Sequence, residues 1–263
     1  MNTEKLESLA RQVRKSALDM VYRAKSGHIG GSFSIADVMV AIYFYSWKDG
    51  DKFVLSKGHC TPALYSVLAL KGFFPRDELM NFRQIGSFLQ GHPVLRDVPG
   101  VDMSTGSLGQ GISAACGMAK AAKLDDSPRM VYAVLGDGEL QEGQVWEAAM
   151  FASHYKLDNL CAIIDYNGLQ SDGKVENVMS VEPLADKWRA FGWRVLEING
   201  HDFGEITKAL DDAVASRGKS DKPTAIIART VKGKGVSFME NNYKWHGVAP
   251  QEDEYNLAAK ELG

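Results

Sequence analysis

The stretch 131–173, VYAVLGDGELQEGQVWEAAMFASHYKLDNLCAIIDYNGLQSDG, decides the fold. It opens with an apolar, β-branched run, Val131 to Leu135, stopped by Gly136, which reads as a buried strand. Gly136-Asp137-Gly138 follows, where a strand hands over to a loop. Residues 141–156 then carry Val145, Ala148, Ala149 and Ala152 on one helical stripe. A second apolar run, Leu160 to Ile164, ends in Asp165-Tyr166-Asn167-Gly168, another strand tip.

This is one βαβ unit, with Asp137 after its first strand and Asn167 after its second. In an open parallel sheet, ligands bind outside the carboxyl ends of the strands. Asp137 and Asn167 would lie side by side there as two hard oxygen ligands. That set suits Mg²⁺, which completes its octahedron with substrate phosphates and water. Gly136 and Gly138 leave the backbone open to close approach by a diphosphate. A GDG triplet alone is ordinarily just a turn. Followed by Asn167 with strands on both sides, it becomes a specific signal.

At 263 residues the chain is long enough to bury a sizeable core. Its 45% apolar and 24% charged residues are ordinary for a globular protein. A net charge of −3 gives no reason to expect nucleic acid or an anionic membrane as partner. Cys60, Cys116 and Cys161 lie far apart in apolar settings and form no C-x-x-C, which suggests buried thiols in a reducing cytoplasm. No run reaches membrane-spanning length, and nothing at the N-terminus suggests secretion.

Working outward, residues 3–25 read as an amphipathic helix that breaks at a polar loop, Ser26 to Ser32. Ser34-x-x-Asp37 resembles a capping box for a helix to about Trp47. Phe53 to Leu55 is a short strand, and Thr61-Pro62 starts a helix that Gly72 closes. Ser104 to Gly111 runs into a helix of small residues, 112–122, whose N-terminus could face an anion. Strands at 193–198 and 224–228 alternate with helices near 183–191 and 203–217. The alternation predicts an α/β fold, a doubly wound, mostly parallel sheet flanked by helices. With no repeat or linker, residues 1–263 read as one domain with an N-terminal helix and a loop-rich C-terminal tail.

Four of six histidines, His28, His59, His92 and His246, stand in glycine-rich loops. A lone loop histidine is ordinarily solvated, and that reading is kept for His154 and His201. None of the four falls at a zinc-like spacing.

Taken in order, Ser26-Gly27-His28, Phe53 to His59 (FVLSKGH), Gly91-His92-Pro93, Thr105 to Gly111 (TGSLGQG), the GDG-to-Asn167 stretch and Trp245-His246-Gly247 resemble the successive motifs of transketolase. The resemblance covers nearly the whole chain and implies the thiamine-diphosphate-binding fold of the diphosphate-side domain. It implies thiamine diphosphate and Mg²⁺ as cofactors, with Asp137, Asn167 and the Leu169 carbonyl on the metal. His28, His59, His92 and His246 would surround the reacting end of the cofactor, where imidazoles can donate hydrogen bonds and exchange protons. His59 and His246 would also approach the diphosphate, beside Gly136 and Gly138. The backbone of Gly106, Ser107, Leu108 and Gly109 would lie near the aminopyrimidine. Lys57 and Lys232 match cationic positions near bound cofactor or substrate, although a lysine is ordinarily a solvated charge. Glu142 reads as a helix-start acid, and by resemblance as a buried interface carboxylate coupling paired sites. Ile29-Gly30-Gly31 departs from many relatives, which leaves the contacts of that segment open.

The family also has a pyrimidine-binding domain, which carries the glutamate that activates the cofactor, and a third domain. This chain ends at Gly263, about where the first domain of the family ends. The resemblance therefore implies the N-terminal subunit of a split transketolase, or an isolated domain. A C-terminal subunit would supply the rest, and the subunits would pair symmetrically in an α2β2 heterotetramer. The implied reaction transfers a two-carbon ketol unit from a ketose, such as a sugar phosphate of the pentose phosphate pathway, to an aldose. The cofactor stabilises the carbanion. Another thiamine-diphosphate enzyme, such as a 2-oxoacid dehydrogenase α-subunit or a deoxyxylulose-phosphate synthase, would share GDG and Asn167, but the SGH, SKGH and WHG stretches favour transketolase. A non-catalytic cofactor-binding subunit remains a further alternative. A nicotinamide dehydrogenase fits least, since no G-x-G-x-x-G marks a strand-to-helix turn.

Overall fold

The computed structural model describes residues 2–263. Five strands form the central parallel sheet: β1 (Lys52–Leu55), β2 (Val131–Gly136), β3 (Leu160–Tyr166), β6 (Arg194–Asn199) and β7 (Thr224–Arg229). Their spatial order is β1-β2-β3-β7-β6. A two-stranded antiparallel hairpin, β4 (Leu169–Gln170) with β5 (Gly173–Lys174), projects from the tip of β3.

The long helices are α1 (Thr3–Ala24), α2 (Ile29–Ala41), α3 (Thr61–Lys71), α4 (Gln110–Leu124), α5 (Gly143–His154), α8 (Phe203–Ser216) and α9 (Glu252–Leu262). Two shorter ones, α6 (Val175–Met179) and α7 (Leu184–Ala190), lie between β5 and β6. Because strand side chains alternate between faces, the buried runs feed two separate cores. Tyr132, Val134, Cys161 and Ile163 pack with α1, α2, α3 and α8. Ala133, Leu135, Ala162 and Ile164 pack with α4, α5 and α7. Helices cover both faces, the doubly wound arrangement expected of near-continuous apolar strands. All three cysteines are buried and free.

Five readings of the sequence need correction. The segment from Ser26 is not a loop through Ser32, because α2 begins at Ile29 with His28 as its N-cap. Ser34 and Asp37 therefore form no capping box. The Ser34 hydroxyl donates to Asp165 at 2.6 Å, and Asp37 takes two hydrogen bonds from Arg14 on α1, at 2.6 and 2.9 Å. Buried partners far along the chain outcompete the local cap.

The same helix continues through a π-helical turn, Ile42–Ser46. Residues 29–46 make an 18-residue window of mean hydropathy 1.3, long and apolar enough to cross a membrane. The sequence reading found no such run. In the fold 83% of that window is buried, as the core helix between sheet and α1.

His201 is not a solvated histidine either. Its Nδ1 lies 2.6 Å from Asp37 Oδ2, and its Nε2 accepts the Val231 amide at 2.9 Å. It ties α2 to the segment that follows β7. The tail, read as loop, contains α9, which opens on a Gln251/Glu254 capping box. Tyr255 of α9 stacks on Tyr22 of α1 at 4.1 Å and donates to Asp19 at 2.7 Å.

Candidate active site

Strands β2 and β3 are neighbours in register, Gly136 opposite Asp165, so their tips deliver Asp137 and Asn167 to one place. Asp137 is buried, and its carboxylate accepts the amides of Gly138, at 2.8 Å, and Gly168. Burial and the nearby Asp165 charge push its carboxyl up to about 6. Asn167 Oδ1 accepts the Leu169 amide at 3.1 Å, and its Nδ2 donates to Asp165 at 3.2 Å. The Leu169 carbonyl accepts from Lys232 Nζ at 3.0 Å. A buried carboxylate held part-way to protonation is a group that a cation would relieve. With the carboxamide and the carbonyl, it forms a hard-oxygen set that fits Mg²⁺.

Behind these tips lies a polar node that the sequence did not reveal. Asp165 is fully buried and accepts from Lys57, Thr230, Ser34 and Asn167. Burial alone would raise its carboxyl, but the Lys57 ammonium and these donors win and hold it below the usual range. Lys57 is likewise buried; burial alone would lower it, but Asp165 wins and raises it. It is neither a surface charge nor a free cation, although it does line the cavity. Gly31 explains how α2 comes so close: a Cβ there would lie 2.9 Å from Cys60 Sγ and 3.4 Å from Lys57 Nζ. The Gly30 carbonyl accepts the Gly233 amide at 3.0 Å, docking the tail on the start of α2.

The four loop histidines do converge. His59 follows β1 in a 3₁₀ turn, and His246 ends another, Tyr243–His246. The His28 ring lies 5.1 Å from His59, 5.3 Å from His246 and 6.3 Å from His92 by ring centres. His59 and His246 are 5.1 Å apart. Burial and the neighbouring cations depress all four, His28 to about 4 and His246 to about 3. At neutral pH each imidazole therefore offers one donor and one acceptor nitrogen. Lys232 Nζ lies 3.1 Å from His246 Nδ1, and burial together with the Lys57 charge lowers Lys232 to about 8. The histidines and Asp137, Asn167 and Lys232 line one cavity of about 330 Å³.

The loop from Gly106 to Gly109 closes another wall. Gly106 and Leu108 line the cavity, Ser107 is exposed, and the Gly109 amide donates to Glu139 at 2.9 Å. Glu139 is the second group that sequence reasoning missed. Buried directly after GDG, it also accepts from Ser56 and from the Gly136 amide at 3.0 Å, so it ties together the loops after β1 and β2 and the start of α4. Two acids, Glu139 and Glu142, sit in one turn, and spacing alone does not say which turns inward. Glu142 is exposed in the single chain, at the N-cap of α5 and the cavity edge. His154 is exposed at the far end of that helix.

Residues 6–263 match the family described as transketolase, thiamine diphosphate binding domain. The chain is 45% identical to the 6-deoxy-6-sulfo-D-fructose transketolase subunit of a Clostridium species, covering 98% of this chain and 96% of that one. It is also 45% identical to an apulose-4-phosphate transketolase subunit from Phocaeicola vulgatus, over 100% and 95% of the two chains. Human transketolase is 42% identical over 92% of this chain, but that stretch is only 39% of the human protein. The transketolase structure from Campylobacter jejuni superposes with a TM-score of 0.91 at 37% identity, over 100% of this chain and 43% of that one. The order of the motifs, the meeting of the histidines over the strand tips and these likenesses agree: the chain belongs to the transketolase family, as its thiamine-diphosphate-binding domain.

Proposed function

We infer that this chain is the N-terminal subunit of a two-chain transketolase that transfers a two-carbon ketol unit from a ketose to an aldose. The observation that carries the reading is the cluster of imidazoles around His28, set beside the Asp137 and Asn167 strand tips in one cavity. The three relatives matched over nearly their whole length are all named as transketolase subunits, which supports a partner chain.

Thiamine diphosphate supplies the electron sink for the two-carbon carbanion when bound. Asp137, Asn167 Oδ1 and the Leu169 carbonyl would hold Mg²⁺ and, through it, the diphosphate. Gly136 and Gly138 leave room for it, and Lys232 and His59 add donors. His28, His92 and His246 would orient the hydroxyls of a sugar or sugar phosphate and exchange protons with it, a task suited to neutral imidazoles. The Gly106–Gly109 backbone would lie beside the pyrimidine ring. Glu142 would be covered when two copies pair, giving an α2β2 heterotetramer with the C-terminal subunit. The buried free thiols favour the cytoplasm, and the reaction would belong to carbohydrate metabolism of the pentose phosphate kind.

The test is to purify the chain, add Mg²⁺ and thiamine diphosphate, and assay ketol transfer before and after adding the C-terminal subunit. Activity should need both chains. Full turnover by the 263-residue chain alone would overturn the reading.

A further inference from the structure

Arg83 is a half-buried cation with no carboxylate within ion-pair distance among the described residues. It follows the 3₁₀ segment Arg76–Asn81, in a left-handed backbone conformation with φ of 59°. Its amide donates to the Leu89 carbonyl at 2.8 Å, which closes the turn that leads to His92. Its Nη1 donates to Ser26 Oγ at 2.8 Å, two residues before His28. The guanidinium lies against Gly91: a Cβ there would sit 2.8 Å from Nε and closer still to Cζ and Nη2. The Phe82 ring centre lies 5.5 Å from Cζ. Nε itself is buried without a hydrogen-bond partner. One side chain thus touches both loops that carry His28 and His92.

Leaving a guanidinium half-buried and unpaired is costly. A purely structural clamp would gain from an acidic partner. An acid at this position would also draw protons onto the neighbouring imidazoles.

We propose that Arg83 is a positioning residue for the histidine cluster: it holds the Ser26–His28 turn against the Gly91–His92 turn and sets an uncompensated positive charge beside both imidazoles. This rests on the reading of His28 and His92 as working groups of a transketolase. After burial, Arg83 is the largest cause that lowers His28 and His92. The other charged or titratable groups bearing on His28 are His92, Lys232 and Lys57, with the His59 and His246 rings packed against it. Every one of them is a cation or an imidazole, so the effects add rather than cancel.

The experiment is an NMR titration of the imidazoles in the full chain, comparing wild type with Arg83→Met and Arg83→Lys. It reads no ketol transfer, so its failure is distinct from failure of the functional reading. Arg83→Met should raise the midpoints of His28 and His92 by about half to one pH unit each, leaving His154 unmoved. Arg83→Lys keeps the charge but loses the fork, so the midpoints should hold while the close contact between the two rings weakens. Unchanged midpoints in folded Arg83→Met would overturn the proposal. Should that variant not fold, Arg83→Lys decides alone: shifted midpoints with an intact ring contact would overturn it.

Discussion

Lys57 and Asp165 form a buried ion pair, 2% and 0% exposed, directly behind the tips of β2 and β3. Three further donors also reach the carboxylate, Ser34 and Asn167 at Oδ2 and Thr230 at Oδ1. Such a pair is tolerated because both carboxylate oxygens are hydrogen-bonded. Its value lies in fixing Asn167 and the loop after β1 in one geometry.

Removing one partner should therefore be severe. Asp165→Ala leaves the Lys57 ammonium buried and uncompensated, and a loss of about 3–5 kcal/mol of folding stability is expected. Urea denaturation of the chain measures it. A loss below about 1 kcal/mol, the worth of an exposed pair, would mean that the pair is hydrated in solution.

Asp137→Asn keeps the size of the side chain but removes the one charged oxygen of the metal set. Mg²⁺-dependent binding of thiamine diphosphate, followed by calorimetry with the partner subunit present, should fall sharply. Because the carboxyl of Asp137 sits at about 6, wild-type binding should also weaken as the pH falls through that value. An Asn variant that binds as tightly as wild type would remove Asp137 from the metal site.

Replacing His92 by Ala should lower turnover by about 10²-fold, the usual weight of a positioned acid–base or hydrogen-bonding group, with a smaller effect on cofactor binding. His154→Ala, exposed at the far end of α5, serves as the control and should be nearly silent. Equal losses from the two would show that the loop histidines only support the fold.

The depressed histidines also set a sign for stability against pH. Folded His28 titrates at about 4 and His246 at about 3, against an ordinary 6.5, and His59 and His92 are lowered too. Between 6.5 and about 4 the unfolded chain binds more protons, so these groups cost stability as the pH falls. Asp137, raised from 3.8 to about 6, acts in the opposite direction over part of that range. Four imidazoles outweigh it, so the urea midpoint should be lower at pH 5 than at pH 7. An equal or higher midpoint at pH 5 would show that the cluster is open to water and titrates normally.

The strands and most long helices were legible because they rest on local signals: apolar runs stopped by glycine, Thr61-Pro62 at the start of α3, Gly72 at its end. The meeting of four histidines was legible only through the order of the motifs, since nothing in periodicity brings His28 to His246. What stayed hidden depends on partners distant in sequence. Ser34 looked like a cap because Asp37 follows it, yet each has a buried partner on another element. Asp165 looked like one more polar residue at a strand tip. Arg83 and His201 carry no local mark at all. Their roles come from Gly91 and Ser26 in one case, and from Asp37 and Val231 in the other.

Asp165 has a consequence for how the molecule is made. Its partners Ser34, Lys57 and Thr230 lie 131, 108 and 65 positions away along the chain. No local turn can bring them together, and loop closure over such distances is compensated only once the sheet has zipped up. The node behind the cavity is therefore complete only when β7 lies beside β3. On the ribosome, every proposed metal ligand and three of the four clustered histidines emerge before Thr230 is even synthesised. Until that residue arrives the nascent chain has the parts of a cofactor site and no place to bind one.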